Sequence, residues 1–325
     1  TIQLIKPVFM MSPLSIAQYL APGGLKFDIV IFDEASQVKP VDSLGALLRA
    51  DQAIVVGDSQ QLPPTNFFNQ VMDDNFDLDD DTDMITADVE SVLSLFNAKG
   101  AREVMLKWHY RSRHESLINV SNHHFYDNRL VVTPSPEIER STLGLSLVHL
   151  PYSVYEVGKR TNMIEAEKIV NAICRHARIS PDESLGVVAF SVAQRDCIEN
   201  CLEMKIKTDP ILEEFFNKHP FEPLFVKNLE NVQGDERDVI YISVGYGRNS
   251  NGLVLQRFGP VNTQGGERRL NVLFTRARIR CVVYSNITAE DIRIESGSSK
   301  GLKVFKSFLS YAAKGILDIP NPTGK

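Results

Sequence analysis

The stretch Ile29–Gln37, reading Ile-Val-Ile-Phe-Asp-Glu-Ala-Ser-Gln, restricts this chain more than any other. Four consecutive apolar residues, two of them Ile and one Val, fit a strand buried on both faces of a parallel sheet. The strand ends abruptly in two adjacent carboxylates, Asp33 and Glu34. In open α/β sheets, ligands sit just beyond the carboxyl ends of the strands. An Asp-Glu pair there suits a magnesium nucleotide: Asp33 holds the ion, directly or through water, and Glu34 orients and deprotonates an attacking water. The same Asp33 would also suit a helix N-cap.

The flanking pattern is that of an α/β protein. Val8–Met11 reads as a short strand before the turn Ser12-Pro13, with Thr1 inside an earlier strand, and Ser15–Leu20 as a short helix stopped by Ala21-Pro22-Gly23-Gly24. After the Asp-Glu strand come a helix over about 41–48 and a second apolar strand, Ala53–Val56, which is a βαβ pattern with an expected right-handed crossover. A helix around Asp88–Ala98 and a strand around Glu103–Leu106 complete a first domain, 1–106. Trp108–Arg113 forms a polar, aromatic and basic joint. In the second domain, 107–325, His114–Phe125 is expected to be helical and 126–163 mostly irregular. Helices follow at Ile164–Ala177, Ala193–Met204, Glu267–Ala277 and Leu302–Ala313, with strands at Leu185–Phe190, Val239–Val244 and Cys281–Tyr284.

Composition narrows the function classes. A formal net charge of −6 leaves no overall basic footprint, so any nucleic-acid contact must be local. Asp73–Asp83 holds seven aspartates in eleven residues. It lacks the Gly and terminal Glu of an EF-hand, and a solvated loop competes with a calcium loop or a nucleic-acid mimic. Cys197 and Cys201 stand at i, i+4 on an expected helix, without the second Cys or His pair of a zinc site, so reduced core thiols are the expectation. No signal peptide is recognisable and no apolar run reaches the ~18 residues that span a bilayer. The expectation is a cytoplasmic protein with no membrane partner.

Three further segments carry chemistry. In Gly57–Pro64, Gly57 permits a sharp turn, Asp58 offers a charge, Gln61 can hydrogen-bond a phosphate or its attacking water, and Pro63-Pro64 stiffens the exit. A plain surface turn is the rival reading. Within Arg268–Arg280, Arg269 and Arg276 lie seven residues apart and should point the same way on a helix, beside an apolar stripe of Leu270, Leu273, Phe274 and Ala277. An arginine so anchored can stabilise charge on a γ-phosphate, although a basic surface face would look the same. In Asn231–Asp238, Gly234 allows close backbone approach to a ligand, and Glu236 can accept from a ribose hydroxyl or a metal-bound water.

Taken together, Asp-Glu-Ala-Ser at 33–36, Gly-Asp-Ser-Gln-Gln-Leu-Pro-Pro at 57–64, His-Tyr-Arg-Ser at 109–112, Gln-Gly-Asp-Glu-Arg-Asp at 233–238 and Arg-Leu-Asn-Val-Leu-Phe-Thr-Arg-Ala-Arg at 269–278 resemble successive motifs of superfamily 1 (1B-type) helicases. The similarity is greatest to the branch of the nonsense-mediated-decay RNA helicases and their bacterial relatives. Five motifs in family order are far more specific than any one. The resemblance implies two RecA-like parallel-sheet domains, the first incomplete, with ATP and Mg2+ bound in the cleft between them. It implies Asp33 as the magnesium-coordinating acid, Glu34 as the catalytic acid, Gln61 as the γ-phosphate sensor, Arg111 and Arg276 as arginines reaching the nucleotide, and Glu236, with Gly234 beside it, near the ribose. Ser12, Ser191, Gln194 and Asn231 fall where the nucleic-acid backbone would be touched.

One element of the family pattern is missing: the chain contains no Gly-x-x-x-x-Gly-Lys-Ser/Thr. Backbone amides and the lysine of that loop normally cradle the phosphates. The expectation is therefore a C-terminal portion of an ATP-dependent helicase or translocase on single-stranded DNA or RNA, moving 5′ to 3′ by resemblance, inactive alone and completed by the remainder of the polypeptide. The alternative is a non-catalytic nucleic-acid-binding or assembly module derived from a helicase.

Overall fold

A computed structural model describes residues 2–64, 90–135 and 143–317. The chain divides into two compact units, Thr1–Met105 and Leu106–Lys325.

Unit 1 is built on two parallel strands, β1 (Phe27–Phe32) and β2 (Ala50–Val55), in register Ile31 opposite Ile54 and Phe32 opposite Val55. Among the described residues, four helices accompany them: α1 (Ile2–Ile5), α2 (Pro13–Tyr19), α3 (Pro40–Leu47) and α4 (Val92–Ala98). Proline at the first position of α2 and of α3 suits a site where no amide partner is needed. Ser91 and Ser94 close a reciprocal capping box on α4. Phe32, Ala35, Ala46 and Val92 form the buried core on one sheet face, with Ile16, Val30, Val55 and Phe96 packed around them. The other face, carrying Ile29, Ile31 and Ile54, is exposed among the described residues. Burial on both faces, read from the apolar run, holds for one face only.

Unit 2 is a five-stranded, all-parallel sheet in the order β3 (Gly144–His149), β7 (Ala277–Ser285), β6 (Arg237–Ser243), β4 (Leu185–Ala189), β5 (Phe225–Asn228). The helices are α5 (Asn119–Phe125), α6 (Met163–Ile179), α7 (Val192–Ile206), α8 (Pro210–Lys218), α9 (Gly266–Phe274) and α10 (Lys300–Lys314). Ile169, Ile173, Ile198 and Leu212 of α6–α8 join Val187, Val239 and Tyr241 in one core. On α9 and α10, Phe274 stacks on Phe308 with centroids 3.6 Å apart, and Phe305 meets Phe190 just past β4. Val187, Val188, Ile240 and Ile242 are fully buried, each worth about 1.5–3 kcal/mol of transfer free energy. Here the continuous apolar runs do mark strands covered on both faces.

Several local expectations fail. Residues 8–11 and 103–106 form no strand, and Ile2–Ile5 is a helical turn. His114–Phe125 is a 3-10 turn at Glu115–Leu117 followed by α5. The helix expected over Glu267–Ala277 stops at Phe274, and residues from Ala277 onward belong to β7. Alternating Ile279, Cys281 and Val283 point into the core at strand period, which short-range helical spacing concealed. Arg269 and Arg276 consequently do not share a face. α8 and β5 were not anticipated. The Asp73–Asp83 segment lies outside the described residues.

Candidate functional site

In unit 1, the parallel pairing brings the ends of β1 and β2 side by side. The Ala35 amide donates to Val56 O at 2.8 Å, tying the Asp-Glu turn to the exit of β2. Glu34 adopts a left-handed conformation (φ 50°), which turns the chain sharply after Asp33 and leaves both carboxylates exposed. The Glu34 amide donates to Asp33 Oδ1 at 3.0 Å, and Gln37 Nε2 donates to Glu34 Oε2 at 3.1 Å. The 3-10 turn Ala35–Gln37 takes Glu34 as its N-cap residue, without a side-chain cap hydrogen bond, so Asp33 stands at the strand end and is not the helix cap. A Cβ on Gly57 would lie 3.0 Å from Ser36 N and 3.2 Å from Ala35 N. Gly57 is thus required for the two strand exits to approach each other. Asp58 Oδ1 accepts from the Gln60 amide at 2.9 Å, and Asp58 Oδ2 accepts from Gln61 Nε2 at 3.0 Å. This chain of contacts aims Gln61 from the same edge as Asp33 and Glu34.

The donor set fits a hard divalent cation. Two exposed carboxylates stand together, and the described residues hold no cluster of three or more His, Cys, Asp or Glu able to enclose a metal. Mg2+ commonly takes one or two protein carboxylates and keeps water or phosphate oxygens in its remaining positions.

In unit 2, the second cluster lies at the amino ends of β4, β6 and β7, opposite to the edge that the strand-end rule favours. Its centre is Arg278. The guanidinium donates to Glu222 through Nη1 (2.7 Å) and Nη2 (2.5 Å), to Asp238 through Nε (3.0 Å), to Ser184 Oγ (3.2 Å) and to Glu236 Oε1 (3.3 Å). The other oxygen of Glu236 accepts from Arg111 Nε at 2.8 Å, and Arg111 Nη1 reaches Thr275 O at 3.4 Å. The Arg278 hydrogen bonds hold the Glu222 carboxyl down to about 2, and Glu222 in turn raises the already high pKa of Arg278. Burial, with Arg111 nearby, lowers His109 to about 4, so this imidazole is neutral at physiological pH and pairs with Ser112.

Arg276 is only 4 % exposed. Its Nε donates to Val272 O at 2.8 Å, Nη2 to Thr275 Oγ1 at 2.8 Å and Nη1 to Asp235 O at 3.4 Å. It thereby closes the carboxyl end of α9 and ties it to the 231–236 loop. Arg269 instead pairs with Glu230 (2.6 Å). Gly234 has φ +86° with no atom within 4 Å of a built Cβ, so its backbone is open and its conformation favours glycine. The structure therefore brings Arg111, Glu236, Gly234 and Arg276 to one edge. Arg278, Glu222, Asp238 and Ser184 join them there. Sequence reasoning gave these four no role, because only folding places residues 184, 222 and 278 together.

The carboxyl edge of the same sheet holds the remaining candidates. Ser191 caps α7 by accepting from the Gln194 amide at 3.1 Å. Gln194 is fully buried, its Oε1 accepting from the Asn162 amide (2.7 Å) and its Nε2 donating to Asn162 O (3.2 Å) and Ser243 Oγ (3.1 Å). In this structure it supports the loop and presents no polar atom outward. Asn231 is exposed on the 229–236 crossover. In unit 1, exposed Ser12 caps α2 through the Ser15 amide at 3.1 Å. Glu165, which the sequence did not single out, lies fully buried beneath this edge. Its Oε1 accepts from Ser243 Oγ (2.6 Å) and the Gly245 amide (2.8 Å), while Oε2 has no partner. Burial pushes it up to about 8.

Comparison with known proteins gives the chain a family. A family profile described as an AAA domain matches residues 89–288, and a second AAA-domain profile matches 12–68. An uncharacterized ATP-dependent helicase MG140 of Mycoplasma genitalium is 36% identical over 314 residues, covering 94% of this chain and 27% of that protein. The DNA replication ATP-dependent helicase/nuclease dna2 of Schizosaccharomyces pombe is 26% identical, covering 81% of the chain and 19% of the relative. Helicase sen1 of the same yeast is 24% identical, covering 82% and 15%. The chain thus spans about a quarter or less of the length of these curated relatives. The solved PRRSV helicase overlaps 83% of the chain and 37% of its own at a TM-score of 0.35 and 13% identity, too distant to argue from. With an AAA-domain profile matching well over half its length and with its helicase relatives, the chain belongs to the AAA-domain helicase family.

Proposed function

We propose that the chain is the part of an ATP-dependent helicase or translocase motor that supplies the catalytic carboxylates Asp33 and Glu34 and the phosphate-reading arginines Arg111 and Arg276. The observation that carries this reading is the joint edge of β1 and β2, where Gly57 packs on the Ala35 and Ser36 amides and sets Asp33, Glu34 and Gln61 on one strand-end surface. A bound Mg2+ would neutralise phosphate charge. Asp33 holds that ion, Glu34 orients the attacking water and accepts its proton, and Gln61 hydrogen-bonds the γ-phosphate or that water. Arg111 and Arg276 stabilise charge on the transferring phosphoryl group, which for Arg276 requires leaving Val272 O and Thr275 Oγ1. Glu236 and the open backbone at Gly234 serve the ribose.

The phosphate cradle comes from the remainder of the helicase polypeptide. The absence of any Gly-x-x-x-x-Gly-Lys-Ser/Thr from the sequence supports this. The substrate we assign is a single nucleic-acid strand in the cytoplasm, gripped without sequence preference through its phosphates and by base stacking, so affinity should fall steeply with salt, while Ser191, Asn231 and Ser12 add neutral backbone contacts. The test is ATP turnover by the whole helicase polypeptide, with and without single-stranded DNA or RNA. Glu34→Gln should reduce kcat by about 10²–10⁴-fold while ATP still binds. Wild-type turnover by that variant would remove Glu34 from the mechanism.

A further inference from the structure

Glu236 lies between two arginines of different character. On one side Arg278 is fixed: it bonds Glu222, Asp238, Ser184 and Glu236 together, and its Nη1 meets Glu236 Oε1. On the other side Arg111 is held mainly through Nε on Glu236 Oε2, with both side chains more than a third exposed. The Glu236 backbone is immobilised as well, because buried Arg237 donates to Glu236 O at 2.7 Å and to Pro223 O at 2.7 Å while stacking on Phe225. Arg111 is therefore the mobile partner of a rigid carboxylate.

Charge explains why Arg111 rests there. Glu222, Glu236 and Asp238 place three carboxylates around Arg278, with buried Arg237 close to Glu222 and Glu236, and Arg111 brings the arginines to three. An exposed ion pair of this kind is weak, whereas a guanidinium on a phosphate makes charge-assisted, often bidentate bonds.

We infer that Glu236, positioned by Arg278, is a latch that holds Arg111 back until a nucleotide reaches this edge. This rests on the nucleotide-site reading above. The phosphates draw Arg111 off Glu236 Oε2, and a ribose hydroxyl donates to the oxygen so released. Ribose and phosphate recognition are thereby coupled through one carboxylate. Arg278 does not touch the nucleotide. It is a positioning residue that keeps Oε1 engaged so that only Oε2 exchanges partners.

The test uses the whole helicase polypeptide, isotope-labelled at arginine, and the Arg111 Nε–Hε resonance, assigned by its loss in Arg111→Lys. In the free chain that proton should exchange slowly with water, and Glu236→Gln should remove the protection. Millimolar ATP should shift the resonance, and inorganic tripolyphosphate should do so less, since it brings no ribose. Glu236→Gln should bind tripolyphosphate about two- to five-fold more tightly, because the competing charge is gone, and should lose discrimination between ATP and 2′,3′-dideoxy-ATP. Arg278→Lys should retain part of the Arg111 protection and Arg278→Gln none. Tripolyphosphate binding that weakens in Glu236→Gln overturns the latch. So does an unmoved Arg111 resonance while the Asp235 and Thr275 amides respond, an outcome that leaves the nucleotide site intact. Silence of the whole edge at millimolar ATP overturns both.

Discussion

Replacing Glu165 by Gln should remove a pH dependence that is large and opposite in sign to ordinary acid denaturation. The carboxyl is fully buried, accepts from Ser243 Oγ and the Gly245 amide, and leaves Oε2 without a partner. Burial raises its pKa from 4.5 to about 8. An acid raised in this way keeps its proton in the folded state while the unfolded chain loses it above pH 4.5. The stabilisation is complete below 4.5 and declines as pH climbs toward 8. From pH 4.5 to 7 the two states differ by one proton, and at about 1.4 kcal/mol per pH unit the loss is about 3 kcal/mol. Gln preserves an acceptor for Ser243 and Gly245 and cannot ionise. The assay is urea unfolding of both proteins from pH 5 to 8, followed by the near-ultraviolet dichroism of the unit 2 tyrosines. The difference between variant and wild type isolates Glu165, because all other titrations are shared. It should grow in favour of Glu165→Gln by about 3 kcal/mol across that range. Parallel curves would refute the assignment of a buried, neutral carboxyl.

Two further outcomes follow from the packing. Gly57→Ala should destabilise unit 1 by about 1–3 kcal/mol, since its Cβ meets the Ser36 and Ala35 amides. The Ala35 amide, bonded to Val56 O, should lose protection from hydrogen exchange. Glu222, held near 2 by Arg278, contributes stability that is present above pH 4.5 and lost as pH falls through about 2. Because the pair is partly exposed, about 1–2 kcal/mol is expected after screening, read as a shallower acid loss in Glu222→Gln.

How far each part of the molecule is legible in the sequence depends on the range over which its determinants act. Strands covered on both faces, such as Leu185–Ala189 and Arg237–Ser243, announce themselves as apolar runs because every side chain must leave water. The Asp33–Glu34 turn and Gly57 are equally local, since a glycine forced by backbone approach and an acid at a strand end are properties of adjacent residues. Arg276 and Arg278 were harder. The helical spacing of Leu270, Leu273, Phe274 and Ala277 suggests one continuous helix, and only the pairing of β7 between β3 and β6 decides that the chain extends from Ala277.

The sequence by itself determined the α/β class, the order of the helicase motifs and the chemical types at each site, because these follow from short-range pattern and side-chain chemistry. Tertiary structure alone decided that Gln194 is buried scaffold and that Arg111 rests on Glu236. It alone gathers Ser184, Glu222, Asp238 and Arg278 into one network and leaves Glu165 uncharged in the core. Those facts depend on which residues, 32 to 125 positions apart, become neighbours and on how much water folding removes around them. No local pattern encodes either.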